Sequence, residues 1–165
     1  ARMLASKNIS IPGKYFGITR VFRHDVIDAT HLPDFNQTEG IVIEEGLTFR
    51  HLVSLLRTFA REFANTEEIR LVPGYFPFTE PSMEVDIECF VCCGKGCKVC
   101  KNSGWIEILG CGIVNPIVLS NCNINHELYS GLAFGVGIDR LSMLYYNIDD
   151  LRLLFENNID FLKQF

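Results

Sequence analysis

The sequence predicts an α+β fold, an antiparallel β-sheet with flanking helices, on three grounds. Segments of strand character follow one another through turn residues, amphipathic helical stretches are few, and no repeating strand–helix–strand unit occurs. Residues 14–24 are aromatic and β-branched and read as a strand. Residues 25–35 lack a clean period, contain Pro33 and read as a loop, and 36–44 return to strand, so the two strands form a long hairpin. Between Leu47 and Ala64, the apolar Leu52, Leu55, Leu56, Phe59 and Phe63 recur at three and four, an amphipathic helix capped by Thr48. Its stripe serves the core or a subunit contact. Residues 69–72 make a short strand. Over 83–91, Met83, Val85, Ile87 and Cys89 alternate with Glu84, Asp86 and Glu88, the period of a half-buried strand. A Cys/Gly/Lys insert occupies 89–104, followed by a strand around Trp105–Leu109 and an apolar stretch at 113–119 beyond Gly110-Cys111-Gly112. Residues 132–136 form a glycine-bracketed strand, 137–147 a helix, and a last helical segment starts near Asp149 or Asp150. Residues 1–8 read as the tail of a helix, broken by Ile11-Pro12-Gly13, as if the chain were the later part of a longer one.

Composition narrows the function. The chain has 165 residues, 48% hydrophobic, with 15 Lys+Arg against 20 Asp+Glu and a net charge of −5. That is enough for one packed core and too apolar for disorder. The acidic balance argues against a surface that grips nucleic acid everywhere, although residues 1–31 carry five Lys+Arg against two Asp. No apolar run is long enough to span a bilayer. Seven cysteines without a secretory leader point to a reducing, cytoplasmic setting, where metal or free thiols are expected before disulfides.

Three segments carry chemistry. In the hairpin, Arg23 and Asp25 share a face, as do Gln37 and Glu39. A guanidinium beside carboxylates and an amide suits a zwitterionic or phosphorylated ligand, and a solvated strand face is the alternative. In Gly131–Leu141, glycines at 131, 135 and 137 on a strand leading into a helix admit a flat ligand close to the backbone. Arg140 then lies in the first helical turn, within reach of a phosphate, and the alternative is a tight packing joint. In Tyr75–Pro81, Phe76 and Phe78 sit on one side of a proline-stiffened segment, walling an apolar slot or entering the core.

The cysteines form a fourth pattern. Cys89, Cys92, Cys97 and Cys100 give C-x₂-C-x₄-C-x₂-C, two knuckles that together match a tetrahedral Zn²⁺ site, with Cys93 as a spare that competes with Cys92. Lys95, Lys98 and Lys101 offset the thiolate charge. The alternative is a hairpin tip of free thiols. Cys111, between two glycines, is expected as a small buried side chain near the site floor. His24, His51 and His126 receive no functional role.

Together these segments resemble the class II aminoacyl-tRNA synthetases, in the form of the catalytic α subunit of phenylalanyl-tRNA synthetases. The hairpin from Gly13 to Gly40 resembles their second signature motif, Gly131–Leu141 their third, and Tyr75–Val85 and the ending Phe161–Phe165 extend the likeness from residue 12 to the end. The resemblance implies a fragment of one catalytic domain over 1–165, with motif two at about 13–44, the zinc-knuckle insert at 89–104 and motif three at about 131–147. Its class II catalytic fold is incomplete, without the upstream motif-one elements or the loop that aids amino-acid recognition, so the piece is expected to be inactive alone. The implied reaction is ATP-dependent activation of phenylalanine with Mg²⁺ and transfer to tRNA(Phe), within an α₂β₂ enzyme whose β subunit does much of the tRNA binding.

The resemblance also assigns residues. Arg23 would hold the ATP α-phosphate and the substrate carboxylate, and Arg140 would stack on adenine and reach the γ-phosphate. Asp25, His31 and Phe35 complete the ATP site, His31 toward the outgoing phosphates and Phe35 stacked on adenine. Gln37 and Glu39 would receive the substrate ammonium, Phe76 and Phe78 its ring, with Ala133 and Gly135 leaving room at the floor. Glu107 is the candidate Mg²⁺ ligand. Asp25 and Asp139 stand where the family commonly has Glu. The cysteine insert is structural in this reading. Two other readings remain: a related class II synthetase for another amino acid, and a non-catalytic zinc-binding nucleic-acid module using Lys95, Lys98 and Lys101.

Overall fold

A computed structural model describes residues 3–6, 9–64, 66 and 68–165. Six antiparallel strands form one sheet among these residues, in the order β1-β2-β6-β5-β4-β3. They are β1 Gly13–Phe22, β2 Asp34–Glu45, β3 Ile69–Phe76, β4 Thr79–Glu88, β5 Trp105–Val114 and β6 Tyr129–Gly137. Among the same described residues, four helices accompany them, α1 Phe49–Ala64, α2 Pro116–Asn121, α3 Ile138–Tyr146 and α4 Ile159–Leu162, with a 3₁₀ turn at Leu151–Leu154.

The β1–β2 hairpin pairs in full, from Gly13 opposite Ile43 to Phe22 opposite Asp34, around the loop 23–33. Arg23 and Asp25 therefore lie past the end of β1, and strand alternation does not set their direction. The chain does not lay its strands in sequence order. After β2, α1 crosses the sheet to the far edge, and β6 returns to fill the gap between β2 and β5.

Several elements run longer than the pattern predicts. β3 continues through Pro73 to Phe76, because on an edge strand a missing N–H costs no ladder bond. The segment 75–81 is consequently the tight end of a hairpin, with Pro77 and Phe78 in its turn. β5 continues through Gly110-Cys111-Gly112 to Val114, so the glycines belong inside the strand, and 116–121 is helix α2. Of the helix expected over 1–8, residues 1, 2, 7 and 8 lie outside the described residues and 3–6 form a turn.

The principal core lies between α1 and one face of the sheet. Leu52, Leu56, Val85, Ile87, Leu109, Cys111, Leu132 and Val136 are all buried there. Leu52, Leu56 and Phe59, three of the five residues of the predicted apolar stripe, enter it; Leu55 and Phe63 remain exposed at 38% and 48%, while the unpredicted Ala60 is fully buried. A second cluster (Leu4, Ile43, Val114, Leu119, Ile124) closes one end of the opposite face. A third joins Met143, Ile148, Leu151 and Phe161 with Leu32 of the hairpin loop and Phe90 of the cysteine insert.

α1 starts at Thr48, where the Thr48 N–H donates to His51 Nδ1 at 3.0 Å and the Thr48 hydroxyl donates to the same nitrogen at 2.9 Å. His51 thus occupies the third helical position, where a capping box usually places Glu. α3 is tied to β2 by a buried carboxylate. Asp139 accepts from the Asn36 N–H at 2.7 Å and the Asn36 side-chain amide at 3.2 Å. At the first turn of α3 that charge also faces the favourable end of the helix. Asp139→Ala should lower the unfolding free energy by about 2 kcal/mol, since it strands a part-buried N–H. Urea unfolding of the chain tests this; an unchanged midpoint would show that water replaces the carboxylate.

Candidate functional site

The face of the sheet away from α1 carries a cleft of 940 Å³. Its floor is bare of large side chains at the centre, where Gly110 faces Gly135 and Gly112 faces Ala133 across β5 and β6. A Cβ on Gly110 would meet the Phe76 ring at 2.7 Å, and one on Gly135 would meet the Gln37 amide at 3.2 Å. The Phe76 ring lies on bare backbone because position 110 is glycine, whereas a Cβ at position 135 would ask the Gln37 amide to give by a few tenths of an ångström.

All the residues predicted for substrate binding line this one cleft: Arg23, Asp25, His31, Phe35, Gln37 and Glu39 from β1, β2 and their loop, with Phe76, Phe78, Glu107, Ala133, Gly135 and Arg140 from the other elements. A smaller groove of 520 Å³ along α1 contains none of them.

Local geometry organises the wall. On β2, Gln37 Nε2 donates to Glu39 Oε1 at 2.8 Å, so the pair presents one preset polar edge. Opposite, Phe76 and Phe78 stack with centroids 6.1 Å apart and planes at 17°. The Arg23 guanidinium lies over the Phe35 ring at 5.0 Å, a cation–π contact that leaves its N–H edges free for a ligand. Arg140, in the first turn of α3, donates to the Glu107 carbonyl at 2.8 Å and contacts His31 Nε2 at 2.9 Å. Its charge also lies 3.7 Å from the Glu107 carboxylate, which is 49% exposed. Arginine only donates, so His31 Nε2 accepts and the proton is on Nδ1, which donates to Asp28 Oδ1 at 2.8 Å. Two guanidinium groups encoded far apart thus serve one cleft.

Glu84 also lines the cleft. Burial, then the charges of Glu107 and Asp86, raise its carboxyl above the usual carboxylate range. The predicted polar face of β4 is therefore not simply solvated, and Asp86 itself is buried and accepts from Arg70 Nε at 2.9 Å. Glu84 and Glu107 supply the hard oxygen donors that a magnesium ion prefers.

The cysteine insert forms the second chemical centre. The sulfurs of Cys89, Cys92, Cys97 and Cys100 all lie within 4.8 Å of one another. Those of Cys89–Cys97, Cys92–Cys100 and Cys97–Cys100 are 3.8, 3.7 and 3.8 Å apart. Four thiolates about 2.3 Å from a tetrahedral zinc are separated by about 3.8 Å, so the donor set and its spacing fit that metal. Backbone N–H groups of Gly96 and Cys97 donate to Cys92 and Cys100 sulfurs, both at 3.1 Å. Burial pushes the Cys89 thiol up to about 12; at Cys100 burial is outweighed by N–H donors from Cys97 and Gly104, which hold it down to about 6. Gly104, at φ +77°, lets the insert close, because a Cβ there would strike the Gly94 carbonyl at 2.4 Å. Cys93 is exposed and lies outside this group of sulfurs, which includes that of Cys92. Cys111 is buried in the core beside the floor, as expected, and burial pushes its thiol up to about 12.

Comparison with known proteins agrees with this architecture. The family described as tRNA synthetases class II core domain (F) matches residues 1–165. The chain belongs to that family. It is 58% identical over 147 residues to the phenylalanine–tRNA ligase alpha subunit of Acetivibrio thermocellus, covering 88% of this chain and 43% of that one. To the corresponding subunit of Clostridium botulinum (strain Langeland) it is 54% identical over 160 residues, 96% of this chain and 47% of that one. The chain thus spans a little under half the length of these curated relatives. Among solved structures, pyrrolysyl-tRNA synthetase from Desulfitobacterium hafniense superposes with a TM-score of 0.60 at 17% identity, over 95% of this chain and 50% of that one. That likeness speaks for the fold alone.

Within this class II core, sequence reasoning missed four residues. Asp28 and His51 had no visible partner, Glu84 was one of the polar residues of a half-buried strand, and Asp139 stood out only as Asp where the family commonly has Glu, with no sign that its carboxylate is bonded to Asn36. Only the clean alternation around Glu84, placing it on the face opposite the core, held a signal. Because the folded chain holds the Glu84 proton to higher pH than the unfolded chain, Glu84 costs stability as pH rises above its usual value of about 4.5. Glu84→Gln should therefore raise the thermal midpoint at pH 7–8, with the gain vanishing below about pH 4. A gain independent of pH would remove the electrostatic explanation.

Proposed function

We propose that this chain is the nucleotide- and amino-acid-binding part of a phenylalanine–tRNA ligase α subunit, which activates phenylalanine with ATP and Mg²⁺ and passes it to tRNA(Phe) in an α₂β₂ enzyme. The observation that carries this reading is the convergence of Arg23, Arg140, the Gln37–Glu39 pair and the Phe76–Phe78 pair on one glycine-floored cleft. The relatives' shared description supports it.

The chemistry asks for charge and position more than for proton transfer. The substrate carboxylate, already ionised, attacks the α-phosphorus; an acyl–oxygen–phosphorus link forms and the bond to pyrophosphate breaks. Arg23 neutralises the α-phosphoryl oxygens and orients the attacking carboxylate. Arg140, braced by His31 and the Glu107 carbonyl, neutralises the outgoing phosphates. Gln37 and Glu39 receive the ammonium. Phe76 and Phe78 hold the ring over Gly110, Gly135 and Ala133, an apolar slot that leaves a tyrosine hydroxyl unpaired at about 1–3 kcal/mol. Glu107, with Glu84 as its neighbour, would hold Mg²⁺, which would further neutralise phosphate charge. A terminal tRNA ribose hydroxyl then attacks the acyl carbon and AMP leaves.

The longer α subunit assembled with its β partner should show phenylalanine-dependent ATP–pyrophosphate exchange. Arg23→Ala and Arg140→Ala should each lower kcat by about 100-fold or more. Exchange driven by another amino acid, or insensitive to both substitutions, would overturn the assignment.

In the same reading the cysteine insert holds a structural zinc through Cys89, Cys92, Cys97 and Cys100. Purified without chelator, the chain should contain about one zinc, lost in Cys92→Ser and Cys100→Ser and kept in Cys93→Ser. Elemental analysis of the three variants decides it; a metal-free, folded chain would refute it.

A further inference from the structure

The loop 23–33 presents Arg23, Asp25 and His31 to the cleft, yet it has no regular structure between β1 and β2. Loops of that length are ordinarily mobile, so something must fix the ring of His31 against Arg140. Inside the loop, Asp28 does most of it. Its Oδ1 accepts from the Thr30 N–H at 2.8 Å, the Thr30 hydroxyl at 3.1 Å and His31 Nδ1 at 2.8 Å. These bonds hold the Asp28 carboxyl well below the usual carboxylate range against a burial cost, so it remains an ionised acceptor.

The other oxygen of the same carboxylate faces outward. Asp28 Oδ2 lies 3.4 Å from Nζ of Lys101, the residue after the last cysteine of the insert. A second contact runs parallel: Phe90, between Cys89 and Cys92, packs in the cluster that holds Leu32 of the loop and Leu151. The Leu151 N–H in turn donates to the Ala29 carbonyl at 2.8 Å. One carboxylate therefore joins the cysteine insert to the imidazole that braces Arg140.

We propose that Asp28 is a positioning residue of the activation reaction: it fixes the tautomer and ring of His31 and through them aims Arg140, with Lys101 and Phe90 making the cysteine insert the outer anchor of the relay. A carboxylate behind an imidazole sets which nitrogen bears the proton and where the ring points. Without it, His31 can rotate and offer Arg140 a donor, which repels the guanidinium. This inference rests on the activation reaction proposed above, and its test separates the two.

The assembled enzyme is assayed for phenylalanine-dependent ATP–pyrophosphate exchange, and ATP binding is measured by calorimetry without phenylalanine. Asp28→Ala should raise KM for ATP about tenfold and weaken calorimetric ATP binding about as much, with KM for phenylalanine within about twofold. Asp28→Asn, which keeps an acceptor for His31 Nδ1, should recover most of the loss. Lys101→Glu, a surface change that sets a like charge beside Asp28, should raise KM for ATP about threefold while metal content is unchanged. In a His31→Ala background, Asp28→Ala should add less than about twofold, because both act on one path. Unchanged ATP affinity, KM values for ATP and phenylalanine rising together, or additive effects of the two substitutions would overturn the relay. Wild-type enzyme that binds ATP but shows no phenylalanine-dependent exchange would defeat the functional reading, and the calorimetric comparison would still judge Asp28.

Discussion

Everything at the cleft depends on the register between β2 and β6. Gln37 pairs with Gly137 and Glu39 with Gly135, which brings a strand from the first quarter of the chain against one from its last. Side chains alternate along a strand, so a slip of one residue would turn Gln37 and Glu39 to the opposite face of the sheet and Thr38 into the cleft. Two features lock it. A Cβ at Gly40 would meet the Phe134 ring at 2.2 Å, so that ring seats only on the bare backbone there. Asp139, two residues past β6, grips Asn36 one residue before Gln37. With that register set, Arg140 emerges beside His31 and beneath the end of the hairpin loop.

The floor shows the cost of function in a sheet. Glycine weakens a strand by its backbone entropy and by packing nothing. Here Gly110, Gly112 and Gly135 cluster at the centre, the most stable place in a sheet, and only on the face turned away from α1. The opposite face of the same strands carries Leu109, Cys111, Leu132 and Val136, all buried. Stability and binding are thus divided between two faces of one pair of strands, and the core under α1 offsets what the floor gives up.

Much of this was legible in the sequence because the informative residues are local. The hairpin, the amphipathic helix and the four cysteines follow from spacing alone, and every residue expected at the substrate site lines the cleft. Strand order was not legible, since nothing in the pattern of β6 says which neighbours it enters between. Strand ends were misread wherever glycine or proline stood for a reason other than a turn: Pro73 on an edge strand, and Gly110 and Gly112 in the floor. Asp28, Asp139 and His51 were opaque for a different reason. Asp139 and His51 each work through one partner and Asp28 through Thr30, His31 and Lys101, placed by the fold or by a cap, and such contacts leave no periodic trace.

The cysteine insert has too few apolar residues to make a core of its own, the situation in which small units rely on metal or disulfide staples. Its sulfurs are unpaired and spaced as the four ligands of a tetrahedral metal, so the staple fits a metal. What apolar surface it does have is not spent inward. Phe90 packs on Leu32 and the C-terminal cluster, and Lys101 turns to Asp28. A unit serving only to end the β4–β5 hairpin would need neither contact. The contacts run to the loop beside the cleft, so rigidity at the four sulfurs would pass to the loop that carries Arg23, Asp25 and His31. That direction of support, from insert to loop to guanidinium, is what distinguishes a brace of the cleft from a bare hairpin cap.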